Sequence, residues 1–486
     1  MARVARTTST LIKASLSPRE HPLVASRLGG VLMHVTSLPS AHGIGDLGPA
    51  AYAYVDWVAA AGFSLWQMLP IGPVGYGESP YGSSSSFAIE PLLLSLDVLA
   101  ADGLLTRAEV APPTALAAAT RVNFVVARKF KLPLYQKAFE RWHARGGAQK
   151  PAYLAFRKRT RLWLTDWLAF LGERAEYHAF VQFALDVQWR MLREHAASRG
   201  VRFIGDVPIF VIRDSADCMA HPRLFRLDAK GRPEVLTGVP PDCFSTEGQL
   251  WGHPHYRWSE HARTKFAWWT QRIDVACERF DLVRIDHFVG LHHAYEVKAG
   301  AKNAKRGVWK PAAGRALLEA LAGHFKGALP LIAEDLGACT PEVVALRDDF
   351  KLPGMRLLQN AFWSGRSGDM PHHHPQRCVA YPGTHDNDTT SGWWKTTPAA
   401  QRKRFRAYAG GGLVHEAMLR ILWASGANLA IASMQDLLGL GTAHRMNVPG
   451  IAEGNWTWRM PARACTRQFA LSIAAQMEAS GRARQS

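Results

Sequence analysis

Four carboxylate-bearing segments of the sequence are candidates for chemistry, because each of them closes a short apolar run. They are Gly205-Asp206, Arg284-Ile285-Asp286, Ala333-Glu334-Asp335 and Thr384-His385-Asp386. A carboxylate beside a buried run costs free energy unless it is paired or used. One such group alone is most simply a structural hydrogen-bond partner, and that explanation suits Asp206 and Asp335. Four carboxylate-bearing segments at the ends of similar apolar runs indicate a functional site.

Asp286 and Glu334 are the pair best suited to nucleophilic and acid–base work. Arg284 precedes Asp286 by two residues, so both project from the same side of a strand, and a nearby guanidinium favours the ionised form of a nucleophile. Glu334 follows the apolar run Leu329–Ala333, where burial raises the pKa of a proton donor. Two carboxyls that flank a glycosidic bond carry out retaining glycosyl transfer.

The tryptophans of the predicted loops favour a sugar ligand, because flat rings stack on the apolar faces of glucose units. The chain has 17 tryptophans. Those in predicted loops are Trp251, Trp258, Trp393, Trp394, Trp456 and Trp458. Trp251 is a poor core candidate because glycines flank it at 248 and 252. For Trp393 and Trp394, core packing is as good an explanation as sugar stacking.

Eight short runs, apolar for most of their length, have the composition of parallel strands covered on both faces. They are Val31–Val35, Ser64–Leu69, Val201–Val207, Leu282–Asp286, Pro330–Glu334, Met355–Gln359, Cys378–Thr384 and Asn428–Met434. Helical patterns lie between several of them. This alternation predicts an α/β fold, a (β/α)8 TIM barrel whose active site lies at the carboxyl ends of the strands.

The uneven spacing of these runs predicts large insertions in the loops after strands 2 and 3. Residues 73–200 are expected to form a mostly helical insertion and residues 212–260 an active-site loop, both interrupting a catalytic barrel over 29–486. Residues 1–28 are rich in Arg, Thr and Ser at their start. They are predicted to be a disordered leader, with a transit peptide as the alternative.

The composition, 48% hydrophobic and 20% charged, is that of a soluble globular protein, and we expect a cytoplasmic one from its cysteines. The six cysteines show no metal-ligand spacing and are expected to be reduced thiols. A formal net charge of +18 raises nucleic-acid binding as an alternative. Basic residues are instead scattered, as in 157–159 and 402–404, so we expect neither a nucleic-acid partner nor a membrane partner.

Longer motifs give the sequence a specific resemblance. They are HVTSLPS (34–40), GIGDLG (43–48), WQMLPIGPVGYGESPY (66–81), GDVPIFV (205–211), PPDCFSTEGQLWGHP (240–254), VRIDHF (283–288), IAEDLG (332–337), GTHDNDTT (383–390), MQDLLGLG (434–441) and GNWTWR (454–459). In this order, over about Gly30–Met460, the chain resembles the 4-α-glucanotransferases called amylomaltases or disproportionating enzymes. These form glycoside hydrolase family 77 of the α-amylase clan.

The resemblance implies roles for individual residues. Asp286 matches the nucleophile, Glu334 the general acid/base, and Asp386 a third carboxylate that holds sugar hydroxyls and helps to distort the ring. The implied substrate-binding residues are Arg284, His287 and His385 in the same subsite, Tyr81 as an aromatic platform, Asp242, Gln249 and Trp251 on an acceptor-side loop, and Asn455 as a further sugar contact.

The implied activity is retaining transfer of α-1,4-glucan segments from maltooligosaccharides, amylose, starch or glycogen to a 4-hydroxyl, with no cofactor and no metal. Protein partners stay unspecified. Two alternatives remain: an α-1,4-glucan hydrolase on the same scaffold, and a catalytically weak glucan-binding barrel.

The sequence departs from the family pattern at Cys243, His253 and Val289–Tyr295, and its segment Lys298–Pro311 is unusually basic. These changes bear on acceptor preference.

Overall fold

The computed structural model describes residues 17–241, 245–337, 339–363, 368–451 and 453–484. Its core is an eight-stranded parallel sheet in the order β10-β11-β12-β1-β2-β3-β6-β9. The strands are β1 (Leu28–Leu32), β2 (Leu65–Gln67), β3 (Arg202–Val207), β6 (Leu282–Ile285), β9 (Leu331–Ala333), β10 (Gly354–Leu357), β11 (Cys378–Tyr381) and β12 (Leu429–Ser433). The two end strands meet where the Ala333 N–H donates to the Pro353 carbonyl at 2.9 Å. The sheet thereby curls into a nearly closed barrel.

The (β/α)8 prediction is confirmed, and each of the eight predicted runs contains or overlaps a barrel strand. The first strand begins three residues earlier than predicted, at Leu28. Gly29 and Gly30 hid this start, because glycine in a strand interior is not expected from propensity. Packing requires the glycine at 30: a Cβ there would lie 2.6 Å from the Leu65 Cβ.

Helices lie between the strands and surround the barrel. In chain order they are α1 (Pro22–Ala25), α2 (Pro49–Ala60), α3 (Leu96–Ala101), α4 (Arg107–Val110), α5 (Thr114–Ala117), α6 (Phe124–Ala144), α7 (Pro151–Arg159), α8 (Arg161–Leu171), α9 (Ala175–Ser198), α10 (Ala216–Ala220), α11 (Trp258–Arg263), α12 (Ala267–Arg279), α13 (Val289–His292), α14 (Gly314–His324), α15 (Pro341–Asp349), α16 (Leu358–Ala361), α17 (Thr390–Thr396), α18 (Ala399–Ala409), α19 (Val414–Ala424), α20 (Met434–Leu437) and α21 (Arg467–Ala479). Among the described residues, none of these helices is both long and apolar enough to cross a bilayer.

The stretch between β2 and β3 carries helices α3 to α9. It is attached to the barrel by a buried ion pair: Lys131 on α6 donates to an Asp46 carboxylate oxygen at 3.0 Å and to the Leu92 carbonyl at 2.7 Å. Both ionic side chains are essentially inaccessible, at 0% and 1% exposure. Burial alone raises the pKa of Asp46, but Lys131 and His42 bring it below its ordinary value. The insertion is therefore fixed to the loop after β1 by a charge pair out of solvent.

A second sheet stands beside the barrel and was not predicted. It is antiparallel, in the order β5-β4-β7-β8. Its strands are β4 (Val235–Val239), β5 (Gln249–Pro254), β7 (His293–Lys298) and β8 (Gly307–Pro311). Strands β4 and β5 lie inside residues 212–260, the predicted active-site loop insertion, so this insertion contains regular structure. These strands mix polar and small residues, so they carry neither the apolar run nor the strict alternation that predicts a strand.

The first and the last parts of the described chain meet at the end of the barrel where the strands begin. Arg482 is fully buried and donates to five carbonyls, those of Leu28, Trp423, Ser425, Ala427 and Asn428. Arg27 donates to three of the same carbonyls and to that of Ser480. Within the described residues, regular structure begins at Pro22 in α1, inside the predicted leader 1–28. Residues 1–16 of that leader lie outside the described residues.

Candidate active site

Asp286 and Glu334 come together because their strands are neighbours. The last residues of β6 and β9, Ile285 and Ala333, are register partners. The Glu334 N–H donates to the Ile285 carbonyl at 3.1 Å, and the Asp286 N–H donates to Val207 at 3.0 Å. The two carboxyls therefore leave adjacent strands at the same level of the barrel mouth.

Arg284 joins the carboxylates of two strands. It donates to both oxygens of Asp206 at 2.9 and 2.7 Å, and its other terminal nitrogen lies 3.0 Å from an Asp286 oxygen. Burial acts against the charge, but Asp206 and Asp286 hold the pKa of Arg284 well above its ordinary value. Asp206 is fully enclosed, whereas the Asp286 side chain is 28% exposed in the cleft. Asp206 thus anchors the guanidinium, and Asp286 remains open to a ligand.

The pKa of Asp286 is raised, although the neighbouring guanidinium of Arg284 was expected to favour the ionised carboxylate. Burial raises it above its ordinary value, and Arg284 acts in the opposite direction without cancelling the rise. The nearby charge of Asp386 adds to the rise, because a like charge disfavours ionisation.

Glu334 is the more deeply enclosed member of the pair. Its two oxygens accept the backbone N–H groups of His287 at 2.7 Å and Leu336 at 3.1 Å. Burial raises the pKa of Glu334 to about 8 against the opposing effect of Arg284, and Asp286 contributes to the rise. The raised pKa expected from the apolar run before Glu334 is confirmed. A carboxyl of this kind holds a proton at neutral pH.

His287 lies between Glu334 and the second sheet. Its φ of 49° is in the left-handed region, an uncommon conformation for a residue with a side chain, and its N–H points at Glu334. Burial lowers the pKa of its imidazole to about 4. The ring packs edge-on against Trp251, with 4.9 Å between ring centroids, and the Trp251 indole N–H donates to Gln249 at 3.4 Å. Two predicted acceptor-side residues therefore border the Glu334 side of the cleft.

Tyr81 and His385 form an aromatic wall on the other side. Their rings are stacked, with centroids 5.3 Å apart and planes at 10°. The Tyr81 hydroxyl lies 2.8 Å from an Asp206 oxygen, to which it donates, and 2.9 Å from His385 Nε2. Trp456 packs behind both rings at 5.8 and 6.1 Å. Trp456 is only 6% exposed, so it supports the wall and does not offer an open face.

Asp386 is held by residues that the sequence did not identify. Asn447 donates to its Oδ1 at 2.6 Å, and Arg445 donates to its backbone carbonyl at 2.8 Å. His385 Nε2 is 3.4 Å from Oδ2. The only sequence signal for Arg445 and Asn447 is their position in a polar loop after β12, which does not distinguish them from surface residues.

Other predicted residues have structural contacts. Asp335 pairs with Arg347 and accepts the Met355 N–H at 2.7 Å, which confirms its structural assignment. The Asn455 amide accepts from the Val448 N–H at 2.9 Å and donates to the Ile451 carbonyl at 2.7 Å. Its predicted sugar contact stays a prediction. Asp242 and Cys243 lie outside the described residues.

Trp393 and Trp394 pack on the same ring, that of Phe405, at centroid distances of 5.9 and 5.4 Å. Core packing is therefore their role in the fold. In the described part of the chain, no three His, Cys, Asp or Glu side chains are grouped so that they could hold a metal ion.

The barrel, its paired carboxyls and the stacked wall beside them define a carbohydrate-active enzyme of the (β/α)8 class. The sequence profile of glycoside hydrolase family 77, described as 4-alpha-glucanotransferase, matches residues 33–174 and 169–464. The chain belongs to this family and is an enzyme of this type.

Relatives and solved structures agree with this assignment. The 4-alpha-glucanotransferase of Thermus thermophilus is 39% identical over 501 aligned residues, which cover 94% of this chain and 99% of the relative. That of Synechocystis sp. is 39% identical over 482 residues, covering 90% and 94%. The amylomaltase of Streptococcus agalactiae, solved in complex with acarbose, superposes with a TM-score of 0.90 at 31% identity and covers 94% of this chain and 100% of that one.

Proposed function

We propose that this enzyme transfers α-1,4-glucan segments from a donor maltooligosaccharide, amylose, starch or glycogen to the 4-hydroxyl of glucose or another glucan. Asp286 is the nucleophile, Glu334 the acid/base and Asp386 the third carboxylate. The observation that carries the assignment is the enclosure of Glu334, whose pKa burial raises to about 8, one strand away from Asp286. This gives one carboxyl that keeps its proton and one that faces the ligand.

The first step follows from the protonated Glu334 and from the Asp286 carboxylate that faces the ligand. Glu334 gives its proton to the glycosidic oxygen as the bond from that oxygen to the anomeric carbon breaks. An Asp286 oxygen forms a new bond to the same carbon from the opposite side, giving a covalent glucosyl-enzyme. Arg284, 3.0 Å from Asp286 Oδ1, fixes the direction of that carboxylate.

The second step reverses the roles. Glu334, now ionised, takes the proton from the acceptor 4-hydroxyl, whose oxygen displaces Asp286 from the anomeric carbon. Two inversions at one carbon leave the configuration retained. His287 fixes Glu334 through its backbone N–H at 2.7 Å, so the acid/base keeps one position through both steps.

Substrate contacts are divided between the two sides of the cleft. The stacked Tyr81 and His385 rings support the donor sugar that reacts, and Asp386 accepts hydrogen bonds from its hydroxyls. Trp251 and Gln249 border the acceptor. The Streptococcus agalactiae amylomaltase binds acarbose, and a ligand built like an α-glucan is what this cleft is proposed to take. A cytoplasmic location completes the proposal.

Incubation with maltotriose tests the proposal. We expect a ladder of longer glucans plus glucose while total reducing ends stay nearly constant. A steady rise in reducing ends would identify a hydrolase, and an unchanged substrate would identify a binding barrel.

The Glu334→Gln variant should lose turnover and keep glucan binding, because an amide cannot supply the proton. Glu90→Gln is the matched control. Glu90 is also a buried glutamate that accepts two backbone N–H groups, those of Val74 and Leu92, but it lies outside the proposed machinery. Turnover retained by Glu334→Gln would show that the acid/base assignment is wrong.

A further inference from the structure

One strongly charged surface has no part in the proposed reaction. The segment Lys298–Pro311 contains five cations and no carboxylate. All five are exposed. Lys305 pairs with Glu247, whereas the other four, Lys298, Lys302, Arg306 and Lys310, form no ion pair within the described residues. We call these four residues the basic edge.

The basic edge belongs to the sheet that carries the acceptor-side residues. Residues paired directly across a sheet share a face, and so do residues two apart on one strand. The pairs Gln249–Val239, Thr237–Glu296 and Glu296–Val308 therefore place Gln249, Glu296 and Val308 on one face. Lys298 and Lys310, two residues from Glu296 and from Val308, lie on that face as well.

The loop between β7 and β8 also contacts the connection that leads into β5. The Ala304 N–H donates to the Glu247 carbonyl at 3.1 Å, and Asn303 donates to the Glu247 carboxylate at 2.8 Å. The loop that carries Lys302 and Arg306 is thereby tied to the chain two residues before Gln249. A glucan that contacted Gln249 and continued along this sheet would therefore reach the basic edge.

Among the residues that the structure describes, neighbouring carboxylates do not neutralise this surface. Glu247 is engaged by Lys305 and Asn303, and Glu296 pairs with Arg226. β8 is the outermost strand of its sheet, and Val308 on it is 57% exposed. An exposed apolar side chain between unpaired cations suits a ligand with both sugar faces and negative charge.

We propose that the basic edge binds phosphate monoesters carried by the acceptor glucan, so that the enzyme prefers anionic, phosphorylated acceptors over neutral ones. The inference rests on the proposed glucan transfer and adds a substrate class to it. A phosphate monoester carries nearly two negative charges at neutral pH. Exposed ion pairs are weak, and one contact of this kind corresponds to an affinity gain of up to about fivefold. Added salt screens such an exposed contact.

The test measures acceptor use with a maltodextrin that carries 6-phosphate monoesters and with the same dextrin after phosphatase treatment. Maltotriose is the fixed donor, and glucose release as a function of dextrin concentration gives the apparent KM of each acceptor. The native enzyme should show an apparent KM lower by up to about fivefold for the phosphorylated dextrin at low salt. This preference should vanish at about 0.5 M NaCl.

Charge reversal identifies the residues. Lys298→Glu with Lys310→Glu should remove the preference and leave the KM of the phosphatase-treated dextrin unchanged. Lys298→Gln with Lys310→Gln should reduce the preference less strongly, and it replaces the charge-reversed variant if that variant folds poorly. The matched control is Lys158→Glu with Lys403→Glu, two lysines on helices α7 and α18 that are also exposed and form no ion pair with any described residue. This control should keep the preference of the native enzyme.

Equal KM values for the two dextrins in the native enzyme would overturn the inference, as would a preference that survives charge reversal. If the enzyme showed no preference between the dextrins but bound duplex DNA in a way that required Lys298 and Lys310, the surface would be a nucleic-acid site. Glucose release with the phosphatase-treated dextrin reports the transfer reaction by itself. Its absence would contradict the proposed function and not this inference alone.

Discussion

At the scale of single residues, Glu334 is subject to two opposing effects. Its backbone donors, the N–H groups of His287 and Leu336, stabilise the ionised carboxylate, and burial disfavours it. Burial is the larger effect, which is why the pKa rises to about 8. The donors nevertheless fix the direction of the carboxyl, which suits the proton-donating role proposed for Glu334.

The raised pKa predicts how activity depends on pH. A carboxyl is protonated below its pKa, so the proton that Glu334 supplies is present below about pH 8 and is lost above it. We expect kcat/KM to fall about tenfold per pH unit on this alkaline side. On the acid side it should fall as Asp286 becomes protonated, above the pH at which a free aspartate titrates, because burial raises the Asp286 pKa.

A profile of kcat/KM from pH 4 to 10 checks this, with circular dichroism at each pH as the control for unfolding. The apparent values belong to the coupled carboxyl pair, as for any two interacting groups. Activity that stays level to pH 9.5 would contradict a proton-donating Glu334.

The Tyr81 hydroxyl gives a second prediction. Tyr81→Phe keeps the ring stacked on His385 and removes the hydrogen bonds to Asp206 and His385. Losing a buried bond to a charged group costs about 1.5–3 kcal/mol, so kcat/KM should fall roughly 10- to 100-fold. Tyr135→Phe is the control, since its buried hydroxyl bonds the Leu94 carbonyl at 2.7 Å in the helical insertion. An equal fall in both variants would show a general packing effect.

At the scale of elements, helix α6 fixes the insertion to the barrel through Lys131. Lys131→Met leaves the Asp46 carboxylate buried without its partner, which should cost about 3–5 kcal/mol of unfolding free energy. Asp46→Asn in the same chain should recover part of the loss, because the unpaired charge is gone. Urea unfolding followed by tryptophan fluorescence measures both effects.

Lys137→Met is the control on the same helix. Its side chain is 47% exposed, and it pairs with Glu109 at 3.0 Å, so its loss should stay within about 1 kcal/mol. Similar losses of unfolding free energy at positions 131 and 137 would mean that the buried pair stabilises the insertion no more than an exposed pair does.

The sequence predicted elements well where one physical pattern dominated. The barrel strands are buried on both faces and therefore read as apolar runs, and the Glu334 pKa follows from the run that precedes it. The second sheet was missed because β5 begins with Gln249, contains Gly252 and ends with Pro254, and its hydrogen bonds depend on a partner strand. The contact between Asn447 and Asp386 joins two loops 61 residues apart. No local pattern encodes such a contact.

At the scale of the whole molecule, Arg482 and Arg27 close the barrel at the end opposite the candidate active site. Arg482→Met should lower the unfolding free energy by about 2–4 kcal/mol, because buried carbonyls lose their donor, with kcat unchanged at room temperature. The two arginines share three carbonyls, so each partly replaces the other. The double variant with Arg27→Met should therefore lose more than the sum of the single losses.

Thermal melting and urea unfolding measure these differences. Arg484→Met, at an exposed arginine two residues later, is the control and should change stability by less than about 1 kcal/mol. A strictly additive double variant would show that the two guanidiniums act independently.

The pairing of β1 with β12 has a consequence for how the chain is made. Leu28 is the register partner of Leu429, about 400 residues later, so one side of β1 has no neighbouring strand until β12 has been made. At a synthesis rate of about 5–20 residues per second, this wait lasts about 20–80 seconds. Throughout that time an apolar strand edge is free to pair with other nascent chains. We therefore expect the barrel that brings Asp286 and Glu334 together to need protection of β1 during translation.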